Sequence, residues 1–409
     1  MGPGVGPMVS RTHTLAPMLS VPTLRRWILA VLLAAAAAGC GISLPDSDRS
    51  DPTARLDQIE LPNGFQIEIY STALPEARSM AFVPGPDAGG TLFVGTRSGD
   101  EVYALRDEDG DARPDSTYVI ADGLDTPNGV TVYGTDLYVA EISRILRYDG
   151  VAAPDGRRLQ NPPEPVVVTD DLPTEEHHGW KFIDFGPDGK LYVPVGAPCN
   201  ICNREEPFAT ILRMDRDGNN REIVARGVRN TVGFDWHPRT GELWFTDNGR
   251  DWMGDDRPPC ELNRVTEAGQ HFGYPFVHGD DLLDPEFGSG TDPSDYRAPA
   301  RELGPHVAPL GMEFYTGSMF PEEYRGDVLI AEHGSWNRSD KIGYRVTRVR
   351  LNEAGEAVEY RPFAAGWLQG EANWGRPVDL EVLPDGSLLV SDDQTGAIYR
   401  ITYAPDVNE

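Results

Sequence analysis

Basic residues are scarce in this chain: Lys and Arg number 36 against 65 Asp and Glu, for a formal net charge of -29. So negative a surface repels phosphate backbones and anionic lipid at long range, which argues against nucleic-acid binding and against electrostatic attachment to membranes. Cysteine is scarcer still, at 4 in the whole chain. Cys199 and Cys202 sit in a Pro-rich loop with no zinc ligands at suitable spacing nearby and no thioredoxin-like pattern around them, so they read as a local disulfide or two free thiols; Cys260 stands alone. Helical periodicity is almost missing. The one long apolar run, Trp27 to Ala38, is about twelve residues, too short to span a bilayer comfortably.

What is present indicates a folded, turn-rich protein. Hydrophobic residues make up 39% and aromatics 9%, with charge mixed throughout, which argues against disorder of the whole chain. Gly at 44 and Pro at 35 are scattered, as short elements joined by tight turns require. Arg25 and Arg26 followed by the apolar run form a signal-peptide core, ending in Ala37-Ala38-Gly39-Cys40, which resembles a bacterial lipobox with Cys40 as the lipidated residue. An ordinary secretory signal is the alternative. The expected organisation is a signal over residues 1–40, an acidic tether over 41–57 and one domain over 58–409. The expected location is the cell envelope or periplasm, with the membrane reached through a lipid anchor only.

Six segments repeat one plan, an apolar quartet, a turn and a β-rich triplet. The quartets begin at Ser79, Gly129, Phe182, Gly233, Gly311 and Asp379, and the triplets at Leu92, Leu137, Leu191, Leu243, Val328 and Leu388. The triplets are spaced by 45, 54, 52, 85 and 60 residues, near the length of a propeller blade with two enlarged connections. Period-two alternation with frequent turns predicts an all-β chain, a six-bladed β-propeller. The segment Gly64 to Tyr70 has no partner in its own repeat and is expected to supply the outer strand of the last blade.

In a propeller the residues just before each innermost strand gather at one end of the central axis. Those positions are Arg78, Asn128, His178, Arg229 and Arg376, with His306 in the fifth repeat. Cations and histidines converging inside an acidic protein suit a polyanionic small molecule. His177 and His178 are the candidates for proton transfer, because histidine titrates nearest neutral pH. The repeat spacing favours His178 as the channel-facing residue and His177 as the neighbour that orients it. A second candidate, the loop Asp107 to Asp111 with Asp115, resembles the start of a calcium loop, but Tyr118 stands where a twelfth-position Glu belongs, so it reads as an acidic hairpin.

These residues also carry a family resemblance. His177-His-Gly-Trp-Lys181 before Phe185-Gly-Pro-Asp-Gly-Lys-Leu-Tyr-Val193 resembles a blade motif of the glucose/sorbosone dehydrogenases, six-bladed propellers that use pyrroloquinoline quinone (PQQ) and calcium. Gly227-Val-Arg-Asn230 is similar to that family's cofactor-binding stretch, Thr246-Asp-Asn-Gly-Arg250 to its calcium turn, and Trp374-Gly-Arg-Pro-Val-Asp379 to its closing motif. The match runs from about residue 62 to 403. Ala197-Pro-Cys-Asn-Ile-Cys202 and Glu332-His-Gly-Ser-Trp-Asn-Arg338 look closest to the sorbosone branch.

The resemblance implies oxidation of a sugar or related hydroxyaldehyde by hydride transfer to bound PQQ, with electrons passed to an external acceptor. It implies that Arg229, Asn230, Asn248 and Arg376 bind the cofactor, that Arg338 or Lys341 stands for a cofactor lysine of the fifth blade, and that the carbonyls of Gly249 and Arg250 hold Ca2+ as Lewis acid. His178 becomes the general base. Val378 stands where the family often has a second arginine, and Arg250 where relatives commonly have proline. Two other readings remain, a calcium-dependent lactonase-type hydrolase, which needs a carboxylate-rich cage at the axis, and a non-catalytic ligand-binding propeller.

Overall fold

The computed structural model describes residues 51–72 and 74–405. The signal, the lipobox-like Cys40 and the tether up to residue 50 lie outside the described residues. The folded part begins earlier than residue 58: Pro52–Gln58 forms a short 3-10 turn capped by Asp51, and Leu56 packs against the core.

Six antiparallel four-stranded sheets follow one another as blades, as the repeats predict. Their innermost strands are Ala77–Pro84, Gly129–Tyr133, Asp184–Phe185, Phe234–Trp236, Pro309–Phe314 and Pro377–Val382. Their second strands are Gly90–Thr96, Asp136–Ala140, Leu191–Val195, Leu243–Asp247, Val328–Glu332 and Leu388–Asp392. The ring closes as expected. Phe65–Ser71 pairs with Ala397–Tyr403, with Phe65 opposite Tyr403 and Ile67 opposite Ile401, so the first strand of the chain completes the last blade. This closure joins the two ends of the fold by pairing the first strand with the last.

The apolar triplets fill the spaces between blades. Leu137, Val139, Leu191, Val193, Leu243 and Phe245 are all buried, as are the triplets of blades 1, 5 and 6. The enlarged fourth repeat is explained by an excursion between Pro259–Arg264 and the outer strand Arg301–Pro305; within it Gln270–His271 adds a parallel strand to blade 3.

Around the axis the innermost strands are laced by side chains. Asp235 accepts the Phe314 amide at 2.8 Å, Glu313 that of Val382 at 3.1 Å, Asp379 that of Met80 at 2.9 Å and Glu381 that of Phe82 at 3.2 Å. Asp184 accepts the Thr131 hydroxyl at 2.6 Å. Backbones approach closely here. A Cβ on Gly233 would strike the Leu310 carbonyl, and one on Gly311 the Asp379 carboxylate, which is why these quartets open on glycine. The axis thus has two unlike ends. A cavity of ≈ 260 Å³ toward the ends of the innermost strands is lined by Asp184, Asp235, Glu313, Asp379 and Glu381, and the cations gather where the same strands begin.

Candidate active site

The cationic end holds a cavity of ≈ 440 Å³. It brings together Arg78, His177, His178, Arg229, Asn230, Asn248, Gly249, His306 and Arg376 from the expected positions. Asn128 stands behind Arg78, accepting its Nε–H at 2.8 Å and donating to the Lys181 carbonyl at 2.7 Å. Four of the lining residues, His178, His306, Ala308 and Tyr344, have φ of 55°, 60°, 50° and 57°. Left-handed backbone at non-glycine residues is costly and is held only where the surroundings fix it, a property that clusters at functional sites.

His178 is fixed from two directions. Its Nδ1 lies 2.8 Å from the Ala197 carbonyl, an oxygen that only accepts, so Nδ1 carries the proton and Nε2 is left as a base. Beneath the ring, a Cβ on Gly196 would come within 2.7 Å of the His178 Cβ, so only glycine lets the histidine sit there. Burial, followed by the charge of Arg229 and the neighbouring His177, holds His178 well below its ordinary value, so it is neutral at neutral pH. His177 stacks beside it with ring centroids 4.1 Å apart, and is the more exposed of the two.

Arg229 is 4% exposed and held rigidly. Nε donates to the Asn200 carbonyl at 2.9 Å, Nη2 to Asn200 Oδ1 at 2.9 Å and Asp251 at 3.3 Å, and Nη1 to the Asn248 carbonyl at 3.1 Å. Asn200 lies inside the disulfide-closed loop Cys199–Cys202, so the cross-link positions the arginine's partner. Asp247 accepts the backbone amides of both Arg229 and Asn230, fixing the chain that presents them.

Behind Arg78 and Arg376, out of the lining, Asp393 is a hub. It pairs with Arg78 at 2.9 Å and Arg376 at 3.0 Å and accepts Nε2–H of His333 at 3.0 Å. Burial alone would raise this carboxyl, but His333, Arg78 and Arg376 together hold it well below the usual carboxylate range. The Nε–H of Arg376 is buried and has no acceptor among the described residues. Arg97 lies over the Trp180 ring, 4.3 Å from its centroid, and brings a fourth arginine to the cavity, whose lining includes a single carboxylate residue, Asp251. Val378 packs with Val232 and Leu310 against Trp180 and carries no charge to the site.

Other expected residues are turned elsewhere. Arg338 binds the carbonyls of Asp255 and Asp340, Lys341 donates to Asn373 at 2.7 Å, and neither lines the cavity. Both lie on the long connection after the second strand of blade 5, whose path no repeat dictates. The Arg250 side chain also points away, pairing at 2.5 Å with buried Asp284, which His278 shares, so its charge is neutralised outside the cavity. Among the described residues neither the Gly249 nor the Arg250 carbonyl accepts a hydrogen bond, which leaves both free for a cation. In the Asp107 loop, Asp107 accepts the Gly110 and Ala112 amides and Asp115 that of Glu108, so the carboxylates hold their own turn.

Arg97, His333, Asp393 and Gly196 lie outside the set of positions that precede the first strands. In an antiparallel pair the start of the first strand and the end of the second lie at the same end of the sheet. Arg97, Gly196, Asn248, His333 and Asp393 each directly follow the second strand of their blade. The repeat that located Arg78 also marks this second set.

Relatives agree with this architecture. An uncharacterized protein of Borreliella burgdorferi is 33% identical over 355 residues, covering 84% of this chain and 91% of its own. A pyrroloquinoline quinone-dependent pyranose dehydrogenase of Coprinopsis cinerea is 34% identical over 122 residues, 25% of this chain and 16% of that one. The holo form of the pyranose dehydrogenase PQQ domain from Coprinopsis cinerea shares the fold with a TM-score of 0.71 at 20% identity, over 84% of this chain and 97% of that domain. The PQQ-bound aldose sugar dehydrogenase from Streptomyces coelicolor does so at 0.58 and 20% identity, over 84% and 100%. The family model for Glucose / Sorbosone dehydrogenase matches residues 151–400, from the outer part of blade 2 to the last blade, and the chain belongs to that family.

Proposed function

We propose that this protein is an exported, envelope-located dehydrogenase, anchored through Cys40, that oxidises a neutral sugar or related hydroxyaldehyde with PQQ and calcium and passes the electrons to an external acceptor. The observation that carries the reading is a base and a set of pinned cations facing one cavity: His178 with a bare Nε2, together with Arg229 and Arg376.

The cavity fits the cofactor. PQQ is a flat tricarboxylate, and four arginines against two carboxylates, Asp251 in the lining and Asp393 shared by Arg78 and Arg376 behind it, with an unpartnered buried Nε–H on Arg376, suit such an anion. Arg229 and Arg376 would hold carboxylates, Asn230 and Asn248 would add amide contacts, and the Gly249 and Arg250 carbonyls would hold calcium. When bound, PQQ supplies a two-electron hydride acceptor, and calcium a Lewis acid that makes it a better one. His178 takes the proton of the substrate hydroxyl on Nε2 as hydride leaves the same carbon, and the Ala197 carbonyl stabilises the imidazolium through Nδ1–H. His333 and Asp393 keep Arg78 and Arg376 in place.

The lactonase-type alternative needs carboxylates around a metal. Those of this axis stand at the other end of the channel, where they accept amide and hydroxyl hydrogens from neighbouring blades. The test is dye reduction by the full chain loaded with quinone and calcium, against a panel of aldoses and hydroxyaldehydes. Reduction with at least one of them is expected. Quinone binding without reduction of dye by any of them would leave a binding module instead.

A further inference from the structure

At the mouth of the cavity two tryptophans stand in solvent. Trp252 is 69% exposed and Trp336 71%, the most exposed of the large hydrophobic side chains among the described residues. Their rings meet edge to face with centroids 5.5 Å apart, and Trp336 also lines the cavity. Leaving two large rings in water is unfavourable unless they are covered during function.

The loops that carry them are stapled together. Arg338 Nε donates to the Asp255 carbonyl at 3.1 Å, the Ser339 amide to Asp255 Oδ1 at 3.1 Å, and Asn337 to Asp251 at 3.4 Å. His306 Nε2 meets the Gly254 carbonyl at 2.8 Å. Trp252 itself has φ of 69°, a conformation a bulky residue holds only under constraint. The same Asp251 that contacts Arg229 is bonded by Asn337, next to Trp336, and precedes Trp252, so the pair is positioned relative to the cavity floor. A rigid aromatic pair contributes contact area at small entropic cost.

We propose that Trp252 and Trp336 form an outer carbohydrate subsite, which stacks the second and later pyranose rings of a neutral oligosaccharide whose terminal ring enters the arginine-lined cavity. The inference rests on the sugar-oxidising reading of that cavity. A pyranose presents a face of C–H bonds, complementary to the negative face of indole, and an edge of hydroxyls. Asp255 and Asp256 beside the tryptophans are acceptors for such hydroxyls, and Asp256 is open to solvent. These carboxylates, on a chain of net charge -29, disfavour anionic polysaccharides. Arg338 thereby becomes a positioning residue of the rim.

The test is calorimetric titration of the full chain, loaded with the reduced quinone and calcium so that no sugar is oxidised during the titration, using neutral glucose oligomers of one to four units in both α-1,4 and β-1,4 linkage. Affinity is expected to rise about tenfold from monomer to longer oligomer for one linkage, a gain of about 1.4 kcal/mol. That gain should collapse to within about twofold in Trp252→Ala, a residue outside the cavity lining, at unchanged melting temperature and quinone content, and equally in the double variant Trp252→Ala/Trp336→Ala, and should return in part in Trp336→Tyr. No gain with length in the unmodified protein, or a gain that survives the double substitution, overturns the subsite while leaving the cavity's sugar reading intact. Absence of binding and turnover with every sugar overturns both.

Discussion

The Nδ1 atom of His178 lies 2.8 Å from the carbonyl oxygen of Ala197. Because that oxygen only accepts, the contact fixes the tautomer and leaves Nε2 as the base. Burial and Arg229 hold the imidazole below its ordinary value, so the base is already neutral at the pH where a free histidine is half charged. The pH profile of kcat/KM should therefore show its acid limb below about 6.5 and no loss through neutrality. His178→Ala should lower kcat by about 10²–10⁴ while quinone remains bound. Full turnover in that variant would move the base to His177.

Gly196 tests the same base without touching it. Alanine there puts a Cβ 2.7 Å from the His178 Cβ, so the ring must shift. Gly196→Ala is expected to reduce turnover by about 10²-fold with the fold retained at a lowered melting temperature, since the new Cβ also meets the His178 carbonyl at 2.8 Å. Unaltered kinetics would mean that the position of His178 does not matter.

Asn200 links the disulfide loop to Arg229. Removing its side chain takes one acceptor from Arg229 Nη2 and the acceptor of the Asp251 amide. Asn200→Ala should weaken quinone binding about five- to tenfold, and Cys199→Ser should act in the same direction. Equal affinities in titrations of variant and unmodified protein would show that the loop does not position the arginine.

The acidic end of the channel predicts a pH dependence of stability. Burial pushes Asp235 and Asp379 up to about 7, and Glu313, beside Glu381, is raised well above the usual range with Oε2 lacking a partner. A carboxyl whose folded value is raised binds its proton more tightly in the folded state. Its stabilisation is thus fully present below the unfolded value near 4 and lost as pH rises to about 7 and beyond. Melting temperature should fall between about pH 6.5 and pH 8, above the range in which the buried histidines, held neutral by burial, add stability as pH rises. Glu313→Gln should raise stability at pH 8 by about 1–3 kcal/mol and change it little at pH 5. A variant less stable at both would show that the second oxygen has a partner.

Much of this molecule is legible in its sequence, for a geometric reason. Quartet and triplet recur because every blade buries the same faces, and the unmatched strand Gly64 to Tyr70 had only the last blade to complete. The third quartet position also carries a signal: Thr131, Asp184, Asp235, Glu313 and Glu381 occupy it, and all take part in the lacing around the axis. Arg338 and Lys341 belong to a loop whose course is set by contacts with Asp255 and Asn373, distant in sequence, and with neighbouring Asp340, none of which the repeat encodes. The tryptophan pair was invisible for the same cause, since Trp252 and Trp336 meet only when two loops of different blades are brought together.

The central claim is that the arginine-lined cavity is a quinone site, and calorimetric titration of PQQ with calcium into the full chain tests it most directly. The account predicts one saturating site per chain, whose affinity falls at least about tenfold in Arg376→Ala, where the unpartnered Nε–H is removed. No saturable binding, or affinity unchanged by that substitution, would contradict it.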